Sequence, residues 1–151
     1  MSDTDLIALY STRLLGLAAN IAHQGRLSAP QGVGHERSLT CGSNIRVELV
    51  LQEGKIEAFA QEVQACVLGQ AAAGVLAHSV IGCTKETLLR ARQDLSAMLN
   101  GTGPIPTAPF ADFEALLPAK AFKNRHASVL LALDATLSAF DAAQEIGRAH
   151  V

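Results

Sequence analysis

Tryptophan is missing from this chain, tyrosine occurs once, and aromatic residues together make up 4% of it. An interior without large rings must be filled by alanine and leucine, which favours close packing of helices. No block of basic residues exists either. The formal net charge is −2 and the lysines and arginines are scattered, so no nucleic-acid partner is expected. Apolar runs are short and broken, as around Val129 to Leu133, and fall well below the ~20 residues that span a bilayer, so no membrane segment is expected. Asp3 and Asp5, rather than a basic stretch, stand near the N-terminus, and no secretory signal is read there. Cysteine is scarce and odd in number, three residues without a short disulfide-rich spacing, which points to a reducing cytoplasm.

What is present is apolar mass. With 151 residues and 49% hydrophobic content, residues 1–151 read as one globular domain able to bury a core. Leu6, Ile7, Tyr10, Leu14 and Leu17 share one side of a helix over Asp3 to Ala19. Asn20 to His35 is polar with glycine and proline and reads as a loop, followed by a short strand over Arg37 to Thr40. Ile45, Val47, Leu49 and Leu51 then alternate with Arg46 and Glu48, the pattern of a half-buried strand. Glu53-Gly54 supplies a tight turn, and Lys55 to Val63 returns antiparallel. An alanine-rich helix follows from Val67 to Ile81 and stops at Gly82. Thr84 caps another helix that ends near Asn100-Gly101. Thr102 to Pro109 is a proline-rich connection, Phe110 to Leu117 a short helix ended by Pro118, and a last helix runs from Asn124 or Arg125 to about Gln144. The order predicts an α+β fold, a small antiparallel sheet packed by about five helices, rather than alternating βαβ units.

The chemistry-bearing residues cluster around this hairpin. Cys41 precedes its first strand and Cys66 follows its second, so both thiols belong to one end of it. Cys41 is either a soft ligand beside a permissive Gly42 or a small buried hydrophobe. Cys66 opens a helix, where unpaired N–H groups and the positive end of the dipole favour a thiolate, ligand or nucleophile; core packing is the plain alternative. Cys83, between Gly82 and Thr84, is expected to be an exposed and silent thiol in a helix connection. His126 starts the last helix and is either a third, nitrogen ligand or a capping residue. Ser128 cannot use His126 as a base, since residues i and i+2 do not face each other on a helix. No Gly-x-Ser-x-Gly elbow or phosphate-binding glycine loop occurs, so a hydrolase or nucleotide enzyme finds no support.

Several of these stretches match a known pattern. Asn20 with Gly25-Arg26-Leu27, Cys41-Gly42-Ser43, Ala65-Cys66-Val67-Leu68-Gly69-Gln70-Ala71, Gly82-Cys83-Thr84 and Arg125-His126-Ala127-Ser128 fall in order along one template. On these residues the chain resembles the U-type iron–sulfur cluster assembly scaffolds, the IscU, SufU and NifU N-terminal family, from Leu9-Tyr10 to Phe140. The resemblance implies a three-stranded antiparallel sheet. It also implies a site of three cysteines and an aspartate at one sheet end, holding zinc, iron or a nascent cluster. Sulfur would come from a cysteine desulfurase.

In that register Cys41 and Cys66 match, Ser43 stands where the family has aspartate, and Ser128 stands where it has the third cysteine. A one-residue shift would bring His126 beside the family's His-Cys pair. The expected ligand set is therefore Cys41, Cys66 and His126, for iron, an Fe–S cluster or zinc. The expected role is a non-enzymatic scaffold that meets a cysteine desulfurase or other Fe–S assembly proteins. The alternative is a degenerate paralogue that keeps the fold as an interaction module. A third reading, zinc-dependent sulfur transfer onto Cys66 or Cys41, lacks the carboxylate and the third thiolate.

Overall fold

The computed structural model describes residues 11–39 and 42–149. Helix α1, Thr12–Ala19, is capped by Ser11, whose Oγ accepts a hydrogen bond from the Leu14 amide. Residues 3–10 of the expected first helix lie outside the described residues. Three strands follow, β1 (Gly32–Arg37), β2 (Asn44–Gln52) and β3 (Lys55–Gln64), in the order β1-β2-β3 and antiparallel throughout. Glu53 and Gly54 both take positive φ, 53° and 75°, which gives a two-residue hairpin turn between the paired Gln52 and Lys55. At the other end of the hairpin Asn44 pairs with Gln64.

The first strand corrects the sequence expectation. It occupies Gly32–Arg37, not Arg37 to Thr40. Gly32 and Gly34 made the segment look like a loop, yet they exist for packing. A methyl group on Gly32 would overlap the backbone of Ala139 and Ala143, and one on Gly34 the backbone of Ala135 and Ala139. All three alanines belong to α4 (His126–Ala149). Glycine on the strand and alanine on the helix let the two backbones approach closely.

The core lies between the inner face of the sheet and the helices. Ile45, Val47 and Leu49 on β2 are fully buried, and Leu49 pairs with the buried Phe59 on β3. Helix α2, Val67–Ser79, is buried nearly all round, because α1 and α4 both pack on it, and its run of alanines suits that position. Helix α3, Lys85–Asn100, buries Leu88, Ala91, Leu95, Met98 and Leu99 along one stripe. Its ends are as the sequence indicates: the Thr84 hydroxyl accepts from the Thr87 amide, and Gly101 closes it at a φ of 77°.

Between α3 and α4, residues Ala111–Ala121 form 3₁₀ turns rather than a helix stopped at Pro118. The fixed φ of proline suits 3₁₀ geometry, so Pro118 is carried inside the segment. A second 3₁₀ turn, Lys123–Arg125, leads into α4. The architecture is α+β, with a three-stranded antiparallel sheet packed by helices. No helix among the described residues is long and apolar enough to cross a membrane.

Candidate functional site

The open end of the β2–β3 hairpin gathers chain from four places. Ser43 directly precedes β2, and Cys66 follows β3 by two residues. Ser38 and Ser43 close the β1–β2 connection through a backbone hydrogen bond of 2.8 Å, and Gly42 turns there at a φ of 72°. Cys41, in the same connection, lies outside the described residues. Ser128, in the first turn of α4, completes the end: its Oγ donates to Ser43 Oγ across 3.4 Å, and both serines are buried. Two residues 85 apart in sequence thus meet at this end of the sheet.

Cys66 is the N-cap of α2, with extended backbone and a half-buried thiol that makes no capping hydrogen bond. One turn further on, a methyl group added to Gly69 would press on the Ser128 carbonyl oxygen at 3.2 Å. The first turns of α2 and α4 therefore touch, and Cys66, Ser43 and Ser128 share one corner of the fold.

His126 is directed elsewhere. Its Nε2 lies 3.0 Å from the Ala119 carbonyl oxygen and 3.2 Å from that of Lys120. Carbonyl oxygens only accept, so Nε2 is the donor in these contacts. The ring ties the start of α4 to the preceding 3₁₀ turns. Two residues along a helix rotate a side chain by about 200°, so His126 and Ser128 leave α4 on opposite sides.

Cys83 is also remote, and it is not the exposed thiol that its loop position suggested. It is 6% exposed, and Sγ donates to the Ser79 carbonyl at 3.1 Å. Burial pushes its thiol pKa up. Its carbonyl accepts from the Ile56 amide, which fixes it at the turn end of β3. The thirteen residues of α2 at about 1.5 Å each put Ser79, and with it the Cys83 thiol, roughly 20 Å from Cys66. Among the described residues no three His, Cys, Asp or Glu side chains come together as a metal-binding group.

Sequence reasoning missed what covers the outer face of the sheet. Glu48, which alternation alone would leave exposed, is 3% exposed beneath the segment that precedes β1. Its Oε1 accepts from the Leu27 amide at 2.9 Å and its Oε2 from Arg46 at 2.8 Å. Burial raises the carboxyl pKa, but the Leu27 amide and the Arg46 guanidinium outweigh it and hold the group below the ordinary carboxylate value. Beside this pair a polar hollow of about 190 Å³ is lined by Arg26, His35, Asn44, Arg46, Glu62 and Gln64. The only sequence signal for it was the polar side of two alternating strands.

A small antiparallel sheet with helices on its inner face, and a cysteine at the strand-to-helix junction, defines a recognisable class of α+β protein. The model of the NifU-like N terminal domain matches residues 9–128, and the chain belongs to that family. It is similar to a nitrogen-fixing NifU-like protein (N-terminal) from Brucella abortus, with 38% identity, 93% of this chain and 98% of that one covered, and a TM-score of 0.89. A match to the iron–sulfur cluster assembly scaffold protein IscU of Thermotoga maritima has 24% identity over 93 residues, 62% of this chain and 66% of that one, just under two thirds of the relative's length. A putative scaffold protein for the SUF system from Fervidobacterium islandicum has 21% identity and a TM-score of 0.76 over 87% of this chain and 96% of that one, which speaks to the fold alone.

Proposed function

We propose that this protein is a non-enzymatic scaffold in iron–sulfur cluster assembly, with iron or a nascent cluster as its cargo and Cys41 and Cys66 as its thiolate ligands. The observation that carries the reading is the Ser43–Ser128 contact at 3.4 Å. It supports the register in which Cys41 and Cys66 occupy the family's ligand positions, two residues before Ser43 and at the foot of the helix that packs on Ser128. Thiolates suit iron and sulfide, whereas neutral hydroxyls are poor ligands for either iron or zinc. Zinc ranks behind iron on this donor set, because a closed zinc site wants four strong ligands. His126 is assigned to anchoring α4, since its Nε2 is engaged by two carbonyls.

A cysteine desulfurase fits as sulfur donor and other assembly proteins as recipients, with the half-exposed Cys66 within their reach. The test is the iron and acid-labile sulfide content of protein purified without oxygen, beside Cys66→Ser. Iron and sulfide retained by the parent and lost in the variant are expected. Neither in the parent, even after reconstitution with ferrous iron and sulfide, would overturn the reading in favour of an interaction module that has given up the metal.

A further inference from the structure

The polar hollow on the outer face of the sheet has more hydrogen-bond donors than its own acceptors can satisfy. Arg26 Nε donates to Glu62 Oε1 at 2.8 Å, and Arg46 donates through Nε and Nη2 to Glu48 Oε2 at 3.2 and 2.8 Å. Asn44 Nδ2 donates to Gln64 Oε1 at 3.0 Å, and the Asn44 side-chain oxygen accepts from His35 Nε2 at 3.2 Å. The second oxygen of Glu48 is closed off by the Leu27 amide. Donors are left over. Among the described residues, Arg26 Nη1 and Nη2, Arg46 Nη1 and Gln64 Nε2 meet no protein acceptor, and Glu62 Oε2 is the one carboxylate oxygen of the group that accepts no hydrogen bond.

We propose that this hollow binds a small zwitterion, an α-amino acid, whose carboxylate takes the unused guanidinium N–H groups and whose ammonium takes Glu62 Oε2. A guanidinium presents its N–H groups as a planar fork that matches a carboxylate. Arg46 is the anchored fork, with 31% of its side chain exposed and its orientation held by the buried Glu48. Donors fixed in advance lose little freedom when a ligand arrives. The charge of the lining selects among ligands. Glu48 and Glu62 already balance Arg26 and Arg46, so a doubly charged anion would enter uncompensated, whereas a zwitterion leaves the balance as it is. Arg26 Nε and Glu62 Oε1 stand 2.8 Å apart, so the charges to be met lie as close together as those of an α-amino acid. The volume of about 190 Å³ is below the ~300 Å³ at which sites for drug-sized ligands begin. The site goes beyond the scaffold reading and does not depend on it.

The experiment is titration of the full chain with L-alanine, propionate, ethylamine and inorganic phosphate at constant ionic strength, read on the side-chain Nε–H signals of Arg26 and Arg46 by NMR. L-alanine is expected to shift both signals to saturation, propionate to bind about tenfold more weakly, and ethylamine and phosphate to leave them in place. The Arg26 and Glu62 side chains are 63% and 47% exposed, so neither Arg26→Gln nor Glu62→Gln threatens the fold. Arg26→Gln should weaken L-alanine about tenfold or more, read on Arg46. Glu62→Gln should lower L-alanine to the affinity of propionate without weakening propionate itself. Equal binding of L-alanine and propionate by the parent would overturn the zwitterion, as would phosphate binding more tightly than L-alanine. Parental affinity in Arg26→Gln would refute the place given to the carboxylate. If no probe moves either arginine signal, the hollow is not a binding site and the proposal fails outright.

Discussion

Gly34→Ala is the sharpest test of how the sheet is held to the last helix. The added methyl group would overlap Ala135 O and Ala139 N and come within 2.9 Å of Ser138 Cβ. Two of those atoms belong to the backbone of a helix interior and have no rotamer to move into. The only relief is to push α4 off β1, which also loosens Ala135 and Ala139, both fully buried. Overpacking costs about 1–3 kcal/mol, and a backbone clash belongs at the top of that range. For a chain of this size about 2–4 °C of melting temperature corresponds to each kcal/mol, so the expected loss is roughly 6–12 °C. Gly16→Ala is the control, since nothing lies within 4 Å of a methyl group there and the residue sits inside α1. It should gain roughly 0.5–1 kcal/mol, because alanine is the better helix former. Thermal unfolding followed by far-ultraviolet circular dichroism reads both. If Gly34→Ala melts with the parent, the strand–helix contact is not the close interlock described, and the account of why β1 hides as a loop fails with it.

Two further outcomes follow from the electrostatics and the burial of single side chains. Glu48 has a folded-state pKa below its ordinary value of 4.5, so the unfolded chain binds its proton first as pH falls. Its contribution to stability is therefore present above about pH 4.5 and lost as pH drops through the lower, folded value. Urea midpoints should fall across that acid window, and in Glu48→Gln this part of the pH dependence should vanish; an unchanged profile would refute the assignment. Peptide-resolved alkylation with iodoacetamide should label Cys66 in the native protein and Cys83 only after denaturation, because Cys83 is buried and its thiol donates to Ser79. Equal native labelling of the two would contradict the placement of Cys83.

The parts of the fold that the sequence announced are those with local chemical signatures. The β2–β3 hairpin showed itself through alternation and through Glu53-Gly54, and α3 through Thr84 and Gly101 at its ends. Strand β1 did not, because glycine at positions 32 and 34 removes the apolar side chains from which a strand is read, and the reason for those glycines is a helix a hundred residues away. Cys66 at a strand-to-helix junction was legible from local pattern. The meeting of Ser43 with Ser128 was not, since a neutral serine carries no signature, and only the match to a family template placed the two in register. The burial of Cys83 was hidden for a related reason. Gly82-Cys83-Thr84 has the composition of an exposed connection, but its backbone bonds to β3 at Ile56. The role of His126 turned on which way a helix start faces, and spacing alone does not give that.

The pairing of β1 with α4 has a consequence for how the protein is made. Strand β1 emerges about a hundred residues before the helix that covers its glycines; the Glu36–Ser138 hydrogen bond alone spans 102 residues. Until α4 leaves the ribosome, the glycine face of β1 has nothing to rest on. Contacts of such long sequence separation form late and slow the search for the native state. The same helix brings Ser128 to Ser43. A nascent or truncated chain without α4 therefore has an incomplete core and lacks the Ser43–Ser128 contact beside Cys66, so the core and that corner close together.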